Sequence, residues 1–201
     1  GAHRMDADVP LLIPEVNPGH VELLSAQRRN RGWDEGFIIT DPNCSTVGMT
    51  VPLKPIYDRF GLRRVVVTTL QALSGAGYPG VASMDIVDNV VPYIRGEEDK
   101  LASEPLKILG RYDNELSGIV PADFTVSPTC TRVPTRDGHM EIVSVELEQS
   151  ATVEDLIDTL SSFESEPFIV GCPSAVNPTI VVRDEPDRPQ TVIDRNTGRG
   201  M

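Results

Sequence analysis

Apolar residues fall in short runs separated by turn chemistry, and their spacing predicts alternating helices and strands. "PLLIP" (10–14) reads as a short buried strand. Asn17-Pro18 then opens a helix to about Arg29, with Asn17 as N-cap and Pro18 at its first position. "GFIITDP" (36–42) is a second short strand ending in a turn. Val47, Val51, Leu53 and Ile56 fit a helix over 44–60, with Pro52 and Pro55 breaking up its first half. "RRVVVTTLQAL" (63–73) is β-branched and continuous, the pattern of a strand covered on both faces. A Gly/Pro/Asn-rich loop follows (74–96). Glu97–Tyr112 is helical, with an interruption at Ser103-Glu104-Pro105. "DFTVSPTCTRVPT" and "GHMEIVSVELE" alternate like two antiparallel strands paired around a turn at Arg136-Asp137-Gly138. Thr152 caps the helix "VEDLIDTLSSF", and "TIVVRDE" (179–185) is a last strand. The sum is an α/β or α+β chain, a mixed β-sheet with helices packed on it.

Composition narrows the function classes. The 201 residues suffice for one good core or two small ones, and 39% are hydrophobic. Lys and Arg number 18 against 30 Asp and Glu, a net charge of −12 that excludes a nucleic-acid-binding surface. No run of eighteen apolar residues signals a membrane span. The three cysteines, Cys44, Cys130 and Cys172, are odd in number and widely spaced, which argues for a reducing compartment and against a disulfide framework or a metal site. Both termini are ragged, as expected of a piece of something longer.

Three stretches carry candidate chemistry. Cys44 follows Asp41-Pro42-Asn43 where a helix begins. Unpaired N–H groups at such a helix start favour a thiolate and would stabilise an oxyanion on a carbonyl attacked by the sulfur, so a lowered thiol pKa is expected. A nucleophilic thiol needs a proton-transfer partner, usually histidine. Of the three histidines, His3 and His20 read as surface residues. His139 follows Asp137-Gly138 at a strand start, seven residues after Arg132. Gly75, Gly77 and Gly80 spell GxGxxG after a strand, but Pro79 and the sequence beyond it open no helix. The segment is therefore a flexible loop for close approach to a ligand, not a dinucleotide fingerprint. Glu104 and Lys107 lie three apart on one helix face.

These motifs, "DPNCST", "QALSGAG", "GEEDKLASEPLKILG" and "TRVPTRDGH" in this order, resemble those of aspartate-semialdehyde dehydrogenases. "PLLIPEVNP", "DNVVPYI" and the tail "DRPQTVIDRNTGRGM" resemble the fungal and archaeal branch in particular. The resemblance implies a glyceraldehyde-3-phosphate dehydrogenase-like C-terminal domain, catalytic and dimerising, over 43–185. Residues 1–42 would be a remnant of, and junction to, a nucleotide-binding domain, and 186–201 a tail leading back to it. It implies NADPH-dependent reductive dephosphorylation of aspartyl phosphate through a cysteine thioester, in the cytoplasm, within aspartate-family amino-acid biosynthesis. Cys44 would be the nucleophile, His139 the acid/base and Gln71 a substrate-positioning residue. Arg132 would grip the α-carboxylate and Glu104 the ammonium. Lys107 and Asn43 would take the phosphate, and Ser74 and Gly75 would border the nicotinamide of NADP. A homodimer, or a tetramer built from it, is implied, with this chain alone binding NADPH weakly or not at all and inactive by itself. The rivals are a related malonyl-CoA reductase, whose substrate has no ammonium for Glu104, a glyceraldehyde-3-phosphate dehydrogenase, and a non-catalytic dimerisation module.

Overall fold

The computed structural model describes residues 2–199. Its helices are α1 (Leu23–Arg31), α2 (Cys44–Phe60), α3 (Ser83–Ile86), α4 (Glu97–Ile108), α5 (Val153–Ser161), α6 (Pro167–Val170) and α7 (Thr191–Asp194). Its strands are β1 (Leu62–Gln71), β2 (Arg111–Asp113), β3 (Gly118–Val120), β4 (Thr125–Arg132) and β5 (Met140–Leu147). The central sheet has the order β4-β1-β5, while β2 and β3 form a separate two-stranded ribbon.

β1 is the middle strand. It runs parallel to β4, from Arg64↔Thr125 to Gln71↔Arg132, and antiparallel to β5, from Leu62↔Leu147 to Leu70↔Met140. The sheet is thus mixed, as expected, but β4 and β5 do not pair with each other. Alternation fixes how a strand is oriented and which face it buries, not which strand lies beside it. Because β4 and β5 flank β1 on opposite sides, residues 133–139 must step across its C-terminal end. Leu73 and Ser74 bind that crossing through Thr135 and Arg136 carbonyls.

One face of the sheet carries α2 and α4. Val65 and Val67 of β1, Val126 and Cys130 of β4, Met49, Leu53, Ile56 and Phe60 of α2, and Leu101 and Ile108 of α4 share one buried cluster. Each large aliphatic side chain there contributes about 1.5–3 kcal/mol of transfer free energy. The other face is open: Val66 is 44% exposed and Ile142 60%. β1 is therefore covered on one face only, and its β-branched residues on the second face look outward.

α2 runs unbroken through Pro52 and Pro55. Each proline deletes one backbone bond, and the buried stripe Met49, Leu53, Ile56, Phe60 outweighs that loss. Asn43 caps the helix, its Oδ1 accepting from the Ser45 and Thr46 N–H groups at 3.0 and 3.3 Å. α4 likewise continues through Ser103-Glu104-Pro105; Ser103 turns its hydroxyl back to the Asp99 carbonyl instead of capping a second helix. α5 has the expected cap, with Thr152 and Asp155 in a reciprocal capping box.

Three expected strands are absent. "PLLIP" and "GFIITDP" meet at one bridge, Leu11↔Thr40, because prolines at 10, 14 and 42 leave few N–H groups to extend a ladder. "TIVVRDE" forms no strand, finding no neighbouring edge to pair with among the described residues. The helix expected from Asn17 is a 3₁₀ turn, Pro18–Glu22, running into α1. Asn17 does not cap it. Its amide accepts from the Ile13 N–H and donates to the Leu11 carbonyl, locking the loop before it.

Candidate active site

The end of β1, the start of α2 and the crossing between β4 and β5 converge on Cys44. His139 Nε2 lies 3.2 Å from the Cys44 sulfur. Its other ring nitrogen, Nδ1, is 3.0 Å from the Ala72 backbone N–H, which can only donate. In the neutral imidazole the proton therefore sits on Nε2, facing the sulfur. Burial and the Arg132 guanidinium hold the His139 pKa below its ordinary value, so this neutral form is the resting one at pH 7.

Cys44 departs from expectation. Its thiol pKa is raised, chiefly by partial loss of water around the sulfur and then by the Glu97 carboxylate, although the residue stays exposed at the cleft. The backbone N–H groups of Ser45 and of Cys44 itself do act to lower it, as a helix start should, but they are outweighed. The resting pair is a neutral thiol beside a neutral imidazole. Of the other cysteines, Cys130 is buried on β4 with its thiol pushed up to about 11 by burial, and Cys172 is exposed far along the chain.

Arg132 ends β4 next to Gln71, the last residue of β1. It is only 6% exposed, and one guanidinium N–H donates to the Ala72 carbonyl at 2.6 Å, which aims the group at the space beside His139. Gln71 is buried, its amide reaching Thr69 Oγ1 at 3.3 Å and Glu97 Oε2 at 3.4 Å. Ser74 and Gly75, exposed, border the same corner. A Cβ on Gly75 would fall 2.7 Å from His139 Cε1 and 3.0 Å from Arg132 Nη1.

Other expected contacts are made elsewhere. Glu104 is 2% exposed and bound on both oxygens, accepting from the Asn43 N–H at 2.7 Å and from Arg4 at 3.1 Å. Lys107 turns away from the cleft and donates to the carbonyls of Arg4, Asp6 and Val9 at 2.7–2.8 Å. Burial lowers its pKa. Asn43 spends its amide on the helix cap and on Glu97, at 2.7 Å. Lys107 thus has all three donors engaged within the protein, while the Glu104 carboxylate is committed to Arg4 and the Asn43 N–H, and the Asn43 amide to the α2 cap and Glu97.

Glu97 and Lys100 stand where Glu104 and Lys107 were expected. Glu97 Oε2 accepts from Asn43 and Gln71, and its Oε1 pairs with Lys100 Nζ at 2.6 Å. Burial raises the Glu97 pKa, yet these bonds more than offset it and hold the carboxylate below its ordinary value. The two pairs lie seven residues apart, two turns along α4 on one face. The helical pattern is identical for both, and only the tertiary placement of the Glu97 end beside Cys44 distinguishes them.

Cys44 and His139 open into a cleft of about 750 Å³ that continues along α2 and β5 past Gly48 and Glu141, towards α7 and Arg195.

Residues 53–201 match the family described as semialdehyde dehydrogenase, dimerisation domain. The chain is 51% identical over 201 residues to the aspartate-semialdehyde dehydrogenase of Methanothermobacter thermautotrophicus, covering 57% of that protein. It is 52% identical, over 56% of its length, to that of Archaeoglobus fulgidus. The fold matches the crystal structure of the Candida albicans aspartate-semialdehyde dehydrogenase with NADP at a TM-score of 0.86 and 44% identity. That match covers 96% of this chain and 56% of that one. The chain thus spans a little over half the length of the relatives it matches.

Proposed function

The chain belongs to the semialdehyde dehydrogenase dimerisation-domain family, and from that premise we propose that, at the full length of its relatives, it reduces L-aspartyl-4-phosphate to L-aspartate-4-semialdehyde. The observation that carries this reading is the Cys44–His139 contact of 3.2 Å, set among Arg132, Gln71 and Glu97. The Cys44 thiol attacks the acyl carbon; its S–C bond forms as the C–O bond to phosphate breaks and the thiol proton leaves with the phosphate, giving an acyl thioester and hydrogen phosphate. The helix-start N–H groups and the His139 Nε2–H face the oxygen on which charge develops. NADPH, when bound, supplies the hydride that reduces the thioester carbon. The His139 Nε2–H hydrogen-bonds the resulting alkoxide and shares its proton with it; as the alkoxide collapses the C–S bond breaks, releasing the semialdehyde and a thiolate that regains its proton from solvent.

Arg132 suits the α-carboxylate, since a planar guanidinium pre-aimed by the Ala72 carbonyl offers paired donors. Glu97, an ionised carboxylate at the same corner, suits the substrate ammonium, and Lys100, with its side chain 40% exposed, suits the phosphate. A malonyl-CoA substrate brings no ammonium to the Glu97 carboxylate, whose Oε1 is already paired with Lys100, so the aminated substrate makes the fuller use of this corner. Ser74 and Gly75 at the mouth fit the nicotinamide end of NADPH. The single 3₁₀ turn Leu73–Ala76 offers no helix for a pyrophosphate, so these 201 residues alone bind NADPH weakly and do not turn over. A homodimer forms through the open face of β1 and β5 around Val66 and Ile142. The cytoplasm, a reducing compartment, suits an enzyme whose nucleophile is a free thiol.

The test is turnover by the full-length enzyme with aspartate semialdehyde, phosphate and NADP, against malonate semialdehyde with CoA. The first pair reacts, Cys44→Ser abolishes it, and quenching traps an acyl group on Cys44. Turnover that survives Cys44→Ser overturns the mechanism, and a preference for the CoA pair overturns the substrate.

A further inference from the structure

Glu141 belongs to none of the roles above. It lies on the inner face of β5, opposite Thr69 of β1, with Cys130 beyond Thr69 in the same row. Both carboxyl oxygens are inaccessible to solvent and neither makes a hydrogen bond of good geometry among the described residues, although the Ser45 hydroxyl lies close enough to favour the charged form. The hydroxyls of Ser45, Thr46 and Thr50, all on α2, are buried and likewise without such a bond.

The placement is periodic. His139 and Glu141 are two apart, on one side of an extended segment with a repeat of about 6.6 Å. Cys44 and Gly48 are four apart, one helical turn of about 5.4 Å. His139 meets the Cys44 sulfur, and Glu141 meets Gly48, where an added Cβ would lie 3.4 Å from Oε1. Val143 and Pro52 continue the two lines along the same cleft. A glycine inside a helix costs stability, and here it is the residue that lets the carboxyl reach the helix backbone.

Among the described residues no cation acts on this carboxyl. The first turn of α2 has no charged residue, and β1 presents Thr69 and Gln71. β4 presents the Cys130 thiol, and α4 contributes only the acids Glu97 and Glu98 near that thiol. Arg136, Asp137, Asp194 and Arg195 line the cleft farther along. A buried carboxylate with no counter-charge, and only the Ser45 hydroxyl close enough to favour its charged form, is costly, so the group stays protonated.

Resting on the reading of Cys44 and His139 as the reacting pair, we propose that Glu141 is a positioning residue of the thiol site: as an uncharged acid it packs the first two turns of α2 against the His139 end of β5, and its ionisation releases that contact. Burial pushes its pKa to about 8, with the Ser45 hydroxyl beside it holding the rise down. The release therefore falls within the working range of pH.

The experiment compares wild type, Glu141→Gln and Glu141→Ala in the full-length enzyme. kcat/KM is measured from pH 6 to 10, and the carboxyl carbon of Glu141 is titrated by NMR in the wild type. Wild type loses at least about tenfold in kcat/KM through a midpoint near 8. Glu141→Gln, neutral and isosteric, restores the pH 7 value lost in Glu141→Ala and lacks the alkaline fall. A Gln variant with the wild-type alkaline limb overturns the proposal, as does a Glu141 carboxyl titrating near 4.5. If the Gln variant does not fold, the wild-type titration decides alone. If the enzyme proves inactive on the aspartyl substrate, the same pH comparison is read from iodoacetamide alkylation of Cys44, so failure of the substrate reading remains separate from failure of this one.

Discussion

Replacing Gly75 by alanine tests the thiol site without substituting any reacting group. The residue is exposed and has no left-handed φ, so alanine meets no backbone strain there. The new Cβ would sit 2.7 Å from His139 Cε1, 2.8 Å from Nε2 and 3.0 Å from Arg132 Nη1. Ordinary carbon contacts are about 3.5–4 Å, so the ring must retreat by roughly 1 Å. It cannot do so freely, being held by the Ala72 N–H on one side and the Cys44 sulfur on the other. One of those contacts is lost, together with the aim of Arg132 through the Ala72 carbonyl. A displacement of this size costs on the order of 100-fold in rate, about 2.7 kcal/mol of transition-state stabilisation. Stability should fall by about 1 kcal/mol, the net worth of one hydrogen bond. Steady-state kinetics of the full-length enzyme, with a thermal melt of the same preparation, separates the two effects. Wild-type kcat/KM in a Gly75→Ala variant with an unchanged melt would refute the placement of His139 against this loop.

Other substitutions probe the remaining groups. Glu97→Gln removes the carboxylate while keeping the shape, and should raise KM for the aminated substrate by roughly tenfold or more, about 1.4 kcal/mol; an equal effect with a substrate lacking the ammonium would show a merely structural role. Lys107→Met deletes three donated bonds to Arg4, Asp6 and Val9 carbonyls and should destabilise the chain by about 2–4 kcal/mol in urea unfolding, with the N-terminal segment becoming sensitive to protease; intact protection would contradict the assigned grip. Glu141 sets a pH dependence of stability: its pKa is raised in the fold, so the contribution is complete below about 4.5 and is lost as pH rises to about 8. The slope is about 1.4 kcal/mol per pH unit over that window, and Glu141→Gln should flatten it, as urea midpoints at pH 5, 7 and 8.5 would register.

Much of this architecture is legible in local pattern, and what is not follows one rule. The start of α5 was marked by Thr152 because caps act within four residues, whereas Asn17, of the same residue class, spends its amide on the loop before it. The Cys44, Arg132 and His139 cluster was recoverable because its three residue types are chemically unusual where they stand. Neighbour relations were not. The alternation of β4 and β5 is equally good for a hairpin and for two strands astride β1, and no residue between them says which. Glu97 and Glu104 occupy equivalent points of one helical stripe, so only the packing of α4 against α2 selects the first. Prolines 52, 55 and 105 looked like breaks because their local cost is visible in the sequence and the compensating burial is not. The raised Cys44 pKa belongs to the same class: the favourable N–H groups are local, whereas the burial that opposes them, and after it the Glu97 carboxylate from 53 residues away, come from tertiary packing.

That last feature has a consequence for oxidation chemistry. The thiolate, not the thiol, attacks peroxide and disulfides, so a sulfur whose proton is held tightly is spared. At neutral pH the resting Cys44 should climb to sulfenic acid slowly, although the cleft leaves it open to small molecules. The proton that shields it is lost as an acyl carbon comes within bonding distance. Susceptibility to oxidants would then track occupancy of the cleft, greatest in the moments when substrate is already there to take the sulfur first.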